Sequence, residues 1–140
     1  NSGINESGFD SMPIVMANFV AHSVGDVYPF FAPIVGALGA FISGSNTVSN
    51  MMLAQFQFGV ADALGISTAF MLALQAVGAA AGNMIAIHNV VAASATVGLL
   101  DQEGETIRKT IIPTIYYCVV VGIIGMVGMY ILGVTDPLMK

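Results

Sequence analysis

The hydrophobic pattern divides the chain into three long stretches that carry no formal charge. Residues 27–61, 63–100 and 110–135 contain no Asp, Glu, Lys or Arg, and His88 is the only histidine among them. One helix of about 20 apolar residues crosses the hydrocarbon core of a bilayer. Each stretch is therefore long enough to enter or cross a membrane, and the pattern predicts an all-α membrane protein.

Two polar but uncharged patches interrupt these apolar stretches. The first is the heptapeptide Gly-Ser-Asn-Thr-Val-Ser-Asn at residues 44–50, and the second runs from Asn83 to Asn89. Irregular backbone at membrane depth is tolerated only where protein or a water-filled cavity satisfies its polar groups. Broken helices that present such groups to a ligand are typical of transporters. We therefore expect a carrier that moves a small polar solute.

Residues 27–66 favour a re-entrant hairpin whose tip is the first polar patch. Its two arms have about 16 residues each, whereas a spanning helix needs ~20. The second arm contains Gln55, Gln57 and Asp62, which makes it too polar to face lipid. Two full spans joined by an ordinary loop are the alternative.

Residues 68–100 predict a helix that is broken at the second polar patch. As one straight helix these 33 residues would reach about 50 Å, well beyond a hydrocarbon core of ~30 Å. A break near residues 82–89 places the patch close to the middle of the membrane. Gln75 lies eight residues before Asn83, on roughly the same helical face.

The remaining segments complete a polytopic, all-α membrane architecture. Residues 13–25 fit an amphipathic or interfacial helix. Residues 101–110 form a charged loop with two of the three basic residues, which the positive-inside rule places in the cytoplasm. Residues 111–134 predict the last transmembrane helix, with Gly122, Gly125 and Gly128 as a ridge of small residues. We treat residues 1–140 as a single transmembrane region.

Composition excludes several other classes of protein. Hydrophobic residues make up 56% and charged residues 8% of the chain, against about 25% charged residues in ordinary soluble domains. The net charge of −5 argues against nucleic-acid binding. Cys118 is the only cysteine, so no internal disulfide or cysteine-based metal site is expected. No phosphate-binding, dinucleotide or metal-ligand motif is present, and no cofactor is predicted.

Long strings of the sequence resemble the L-lactate permease family. They are residues 39–50, residues 55–59, residues 73–92 and residues 97–110, and the resemblance covers about residues 30–135. It implies an inner-membrane, multi-pass symporter for L-lactate, with D-lactate and glycolate as further substrates and protons as the driving ion. Transport implies that the protein is not an enzyme.

The tip tripeptide Ser45-Asn46-Thr47 is also similar, more distantly, to the hairpin-tip motif of divalent-anion/sodium symporters. There the motif contacts the substrate carboxylate and helps to hold sodium. The coupling ion is therefore open between a proton and sodium. A sodium-coupled carrier of another small carboxylate and a non-transporting membrane subunit are the alternative functions.

The chain begins at Asn1, and residues 1–12 do not follow the basic-then-apolar order of a signal peptide. We expect the chain to be the C-terminal part of a several-fold longer permease. The remaining upstream part of that permease would then help to enclose the polar centre. The oligomeric state is not predicted.

A 2-hydroxy monocarboxylate needs hydrogen-bond donors for its carboxylate and a donor–acceptor partner for its hydroxyl group. Hydroxyl and amide side chains supply both, and the N-terminus of a helix after the tip would favour an anion. The same residue types also cap helices, which is the structural alternative at each position. The candidate substrate-binding residues are Ser45, Asn46, Thr47, Ser49, Asn50, Gln75, Asn83 and Asn89.

His88 is the candidate for proton coupling. Its unperturbed pKa of about 6.5 suits a group that takes up and releases a proton, and an ionisable residue within the membrane is a functional candidate by default. A neutral histidine that hydrogen-bonds to backbone freed by the helix break is the alternative. A hydrolase that uses Ser45 and His88 is not expected, because neither segment holds an orienting acid.

Overall fold

The structure, a computed structural model, describes residues 11–133, and all of its regular elements are helical. The predicted end of the last helix at residue 134 and most of the segment 1–12 lie outside this range. No strand occurs between residues 11 and 133, which confirms the all-α class. The helices are α1 (Met12–Val24), α2 (Tyr28–Ser43), α3 (Asn46–Leu64), α4 (Thr68–Gly82), α5 (Ile87–Thr96) and α6 (Glu103–Met126). A 3-10 turn (Gly25–Val27) joins α1 to α2, and a π-helical turn (Val127–Ile131) extends α6.

Two helical units in the described range are long and apolar enough to cross a membrane. They are Met12–Ser43, which joins α1 and α2 across the 3-10 turn, and Glu103–Ile131. Helices α4 and α5 provide a third if they are counted as one span, bent by 41°. This bent pair corresponds to the broken transmembrane helix that the sequence predicts.

Helix α1 packs against α3 instead of lying apart from the other helices. Ala17 and Ala21, one turn apart, are buried, and a methyl group added at Gly59 of α3 would lie 3.0 Å from Cβ of Ala17. Gly25 has a φ of +57°, which glycine adopts without steric cost, and it joins α1 to the 3-10 turn before α2. Residues 13–25, which we expected to form an interfacial helix, thus have one side inside the helical bundle.

Helix α6 begins at Glu103, within the segment 101–110 that we expected to be a loop. Glu103 and Glu105 in its first turn complement the positive end of the helix dipole. Lys109 pairs with Glu105 at 2.7 Å across one turn, a spacing that supports helix formation. The connection between α5 and α6 is therefore shortened to residues 97–102.

Glycines allow α2 and α4 to cross with their backbones in contact. A Cβ atom added at Gly78 would collide with the backbone of Pro33, and one added at Gly82 would lie 2.7 Å from Cα of Ala37. Close backbone approach at small residues is the usual basis of helix packing in membranes. The Gly78/Gly82 pair is therefore a packing surface for α2.

The glycine ridge of α6 packs against both α2 and α4. Gly122 faces Phe30 of α2, whereas Gly125 and Gly128 face Leu74 and Phe70 of α4. The opposite side of α6 is exposed along its apolar length. Helix α6 thus closes one side of the bundle and lies at its periphery.

Candidate functional site

Residues 44 and 45 of the first polar patch form a tight turn between α2 and α3, and residues 46–50 form the first turns of α3. Gly44 ends α2 with a φ of +70°, and its N–H donates to the carbonyl oxygen of Ala40 at 2.8 Å. Ser45 is extended and caps α3, because its Oγ accepts a hydrogen bond from the N–H of Val48 at 3.3 Å. Ser45 thus has the capping role that is the structural alternative to substrate binding. The cap uses one lone pair of its hydroxyl oxygen.

The second polar patch breaks the next helical segment and contacts this turn. Helix α4 ends at Gly82, and α5 begins at Ile87. The side-chain Nδ2 of Asn89 donates to the carbonyl oxygen of Gly44 at 3.3 Å and to that of Asn83 at 3.4 Å. Residues 44 and 89 are 45 positions apart in the sequence, so the fold brings the two patches together. We call this contact the tip–break junction.

The imidazole of His88 lies directly beside the tip. A Cβ atom built on Gly44 would be 2.9 Å from Nδ1 of His88. The side chain is exposed on the first turn of α5. His88 is therefore a titratable group at the tip–break junction, in a stretch of sequence from 63 to 100 without formal charge.

Two helices begin at the tip–break junction. Helix α3 starts at Asn46, two residues after Gly44, and α5 starts at Ile87, two residues before Asn89. The first backbone N–H groups of a helix have no partner within the helix, and they carry a partial positive charge. Two such ends next to one turn favour an anionic group there.

Amide side chains follow the tip along the first turns of α3. Nδ2 of Asn50 donates to Oδ1 of Asn46 at 3.1 Å. Oδ1 of Asn50 and Oδ1 of Asn83 are buried and accept no hydrogen bond within residues 11–133. Buried polar atoms are normally paired, so these two oxygens are candidates to accept from a ligand or to coordinate a cation.

A separate chain of hydrogen bonds runs through the interior between α2, α3 and α4. The hydroxyl of Tyr28 donates to Gln57 at 2.8 Å, Gln57 donates to Gln75 at 2.9 Å, and Gln75 donates to Oγ of Ser49 at 3.3 Å. Ser49 donates to the carbonyl oxygen of Gly36 at 2.9 Å. All four side chains are buried. We call these four residues the buried polar chain.

The structure therefore separates the predicted substrate-binding residues by location. Ser49 and Gln75 belong to the buried polar chain and are at most 1% exposed, so they hold helices together inside the bundle. Thr47 is exposed on the outer side of α3. At or next to the tip–break junction lie Ser45, Asn46, Asn50, Asn83, His88 and Asn89.

Tyr28 and Gln57 are absent from the candidate site residues chosen from the sequence. Gln57 gives a signal, since it is one of the polar residues that make the second arm too polar to face lipid. Tyr28 gives none, because a tyrosine at the start of an apolar stretch is also typical of a membrane interface. Among residues 11–133 no group of three or more His, Cys, Asp or Glu side chains could hold a metal ion.

Comparison with known proteins identifies the family. The profile of the L-lactate permease family matches residues 2–132. The chain belongs to the L-lactate permease family.

Individual members of the family are similar over most of the chain. A relative from Haemophilus influenzae is 45% identical over 121 residues, which are 86% of this chain and 22% of that protein. The L-lactate permease of Escherichia coli is 32% identical over 90% of this chain and 23% of its own length. The glycolate permease of Escherichia coli is 30% identical over 89% of this chain and 22% of its own length. No solved structure matches the chain.

The chain thus spans less than a quarter of the length of these relatives. Membership of a permease family, together with the long apolar helices, makes the chain part of a multi-pass protein of the cell membrane, which is the inner membrane in bacteria with two membranes.

Proposed function

We propose that this chain forms part of the substrate site of a secondary active transporter that takes up L-lactate, with D-lactate and glycolate as further substrates. The observation that carries the proposal is the tip–break junction, where Asn89 contacts Gly44 and two helices begin. The names of the related lactate and glycolate permeases support a small 2-hydroxy monocarboxylate as the solute. A carrier, and not an enzyme, is the class of protein that this junction fits.

The junction offers the donors that such a solute requires. The first N–H groups of α3 and α5 that have no partner within the helix favour the carboxylate, although that of Val48 in α3 already donates to Oγ of Ser45. The amides of Asn46 and Asn50 lie in the first turns of α3, and Asn83 lies at the break, where an amide oxygen accepts from the substrate hydroxyl. Neutral donors bind a monoanion without a formal countercharge, which permits release on the other side of the membrane.

Proton coupling through His88 is the mechanism we favour for uphill transport. His88 lies beside Gly44, where a proton on the imidazole would attract the substrate carboxylate and would leave with it. Replacement of His88 by Gln keeps a hydrogen-bonding side chain but removes the titratable group. We expect His88→Gln to abolish accumulation driven by a pH gradient while lactate exchange continues. Unchanged accumulation in the variant would rule out this role.

Sodium coupling is the second candidate mechanism, and the unpaired oxygens of Asn50 and Asn83 favour it. Backbone carbonyl oxygens at broken helices are the usual ligands of coupling sodium ions in transporters, and side-chain amide oxygens are acceptors of the same kind. In this mechanism the amide oxygens would hold the ion next to the substrate. His88 would then line the site without exchanging a proton.

Uptake of labelled L-lactate by vesicles that contain the full-length permease tests the proposal. An inward pH gradient is imposed with and without sodium, and a protonophore is added as a control. Accumulation that collapses with the protonophore and ignores sodium is the result expected for proton symport. Sodium-dependent accumulation would support the second mechanism. Correctly inserted protein that takes up no lactate in either condition would overturn the proposed substrate.

A further inference from the structure

The outer face of α3 carries a stripe of exposed residues that runs the length of the helix. Thr47, Met51, Gln55, Phe58 and Asp62 are all exposed. Their spacing of four, four, three and four residues keeps them within about a quarter of the helix circumference. We call these five residues the α3 outer stripe.

The α3 outer stripe alternates between polar and apolar side chains. Gln55 contributes an amide near the middle of the helix, and Asp62 contributes a carboxylate near its end. Within the membrane, charged and strongly polar side chains face protein or water and avoid lipid. Met51, by contrast, is 79% exposed and Phe58 is 47% exposed, and such apolar side chains are poorly suited to a water-filled channel. Both features fit a contact with protein.

The exposed side of α6 has a different composition. From Ile111 to Ile131 its exposed large side chains are isoleucine, valine and tyrosine, with Ile112 at 70% and Ile124 at 57% exposure. Such a surface is compatible with hydrocarbon along its whole length. The bundle therefore has one side suited to lipid, formed by α6, and another side, formed by α3, that is not.

We propose that the α3 outer stripe is the surface on which a further helical segment of the same permease packs. The chain accounts for 22% of the length of its relative from Haemophilus influenzae, so a family member has ample further sequence to cover it. The covering segment offers a hydrogen-bonding group opposite Gln55, whereas Asp62, two residues before the end of α3, lies near the aqueous face. Small or apolar side chains pack against Met51 and Phe58, because flexible methionine adapts well to an irregular partner.

Spin labelling of the full-length permease in liposomes tests this proposal without any need for transport activity. A single nitroxide is attached through Met51→Cys or, as a matched control of similar exposure, through Ile112→Cys. Collision with oxygen, which concentrates in the bilayer, and with a water-soluble nickel chelate reports what surrounds each label. We expect the label at position 112 to be accessible to oxygen. The label at position 51 should be immobilised, with collision rates for both reagents several-fold lower than at exposed positions.

A second matched pair of cysteine variants keeps the test valid if a variant of the first pair fails to insert or fold. Phe58→Cys lies on the α3 outer stripe and Tyr117→Cys lies on α6, and the native side chains are 47% and 43% exposed. Protection at position 58 together with accessibility to oxygen at position 117 would support the proposal. Equal accessibility to oxygen on both helices would overturn it, since α3 would then face lipid. High accessibility of the α3 labels to the nickel chelate would also overturn it, since the stripe would then line a water-filled path.

Discussion

Gly44 is held in place by two constraints that a side chain would violate. Its φ of +70° lies in the left-handed region, and a Cβ atom there would be 2.9 Å from Nδ1 of His88. Gly65 has a nearly identical φ of +66° at the end of α3, yet nothing lies within 4 Å of its Cβ position. Substitutions at these two glycines therefore distinguish the effect of backbone strain alone from the effect of contact with the tip–break junction.

We expect Gly44→Ala to reduce lactate uptake strongly and Gly65→Ala to reduce it little. Both variants incur the left-handed strain of roughly 1–2 kcal/mol, but only the first displaces His88. Initial uptake rates normalised to inserted protein, together with thermal unfolding of the purified full-length permease, measure the two effects. Similar loss of uptake in both variants would mean that the contact with His88 is unimportant.

The buried polar chain makes Gln57 and Gln75 depend on one another. Removing Gln57 alone leaves the hydroxyl of Tyr28 and the amide oxygen of Gln75 unpaired, and each unpaired buried group costs about 1–3 kcal/mol. Replacing both glutamines removes the unmatched amides together. We therefore expect Gln57→Met and Gln75→Met each to lower the free energy of unfolding.

The double variant Gln57→Met/Gln75→Met should be less destabilised than the sum of the single variants, by about 0.5–3 kcal/mol. Denaturation of the purified full-length permease in detergent measures all four proteins of the cycle. Val77→Met, on the exposed side of α4, is a control for the added side chain. Strict additivity would contradict the hydrogen bond between the two glutamines.

Individual residues were predictable where the chemistry is local. The capping role of Ser45 and the polar character of Asn89 and His88 follow from residue type and from position beside a break. The pairing of Tyr28 with Gln57, 29 residues apart, depends on the register between two helices. The glycine contacts that set this register are distributed over α2, α3 and α4. No short sequence motif therefore predicts the pairing.

At the scale of the helices, the glycines differ in what surrounds them. A methyl group at Gly78 would meet the backbone of Pro33, which cannot move without separating α2 from α4. A methyl group at Gly128 would lie 2.6 Å from the tip of the Phe70 ring, which can rotate away. The α2–α4 crossing is therefore less tolerant than the packing of α6.

We expect Gly78→Ala to prevent stable folding or to lower the melting temperature much more than Gly128→Ala. Gly104→Ala is the control, since nothing lies within 4 Å of its Cβ position and alanine favours a helix by about 1 kcal/mol over glycine. Fluorescence-detected size-exclusion chromatography of the full-length permease after heating ranks the three variants. Equal tolerance at positions 78 and 128 would show that α2 and α4 do not cross in backbone contact.

Helix boundaries were predictable where an apolar stretch is too long or too polar to be one span. The excess length of residues 68–100 and the asparagines within them indicate the break between α4 and α5. The start of α6 at Glu103 was not predicted, because a cluster of charges is typical of both a loop and an exposed first turn. The ion pair between Glu105 and Lys109 is typical of an exposed first turn of a helix.

At the scale of the whole molecule, the lengths of the helices indicate the depth of the tip–break junction. Helix α4 has 15 residues and α5 has 10, so with the start of α4 at the surface of a ~30 Å core the break would lie about 22 Å deep, beyond the mid-membrane position expected from the sequence. Because Asn89 contacts Gly44, the tip of residues 44 and 45 would then lie at the same depth, past the middle and nearer the end of α5. Helix α3, with 19 residues, reaches this depth from the same side as the start of α4.

The orientation of the bundle follows from its few basic residues. Arg108 and Lys109 lie at the start of α6, and the positive-inside rule places them in the cytoplasm. If the bent α4–α5 pair is counted as one span, the turn after α3 lies outside, whether the hairpin is re-entrant or consists of two full spans. We therefore expect Ala63→Cys to react with a membrane-impermeant maleimide in intact cells, and Gln102→Cys to react only after permeabilisation.

Both native side chains are exposed, and the other cysteines of the full-length permease, including the buried Cys118, are replaced beforehand. Reaction of both positions from the same side would mean that α4 and α5 do not form one span, and the depth assigned to the tip–break junction would then be wrong.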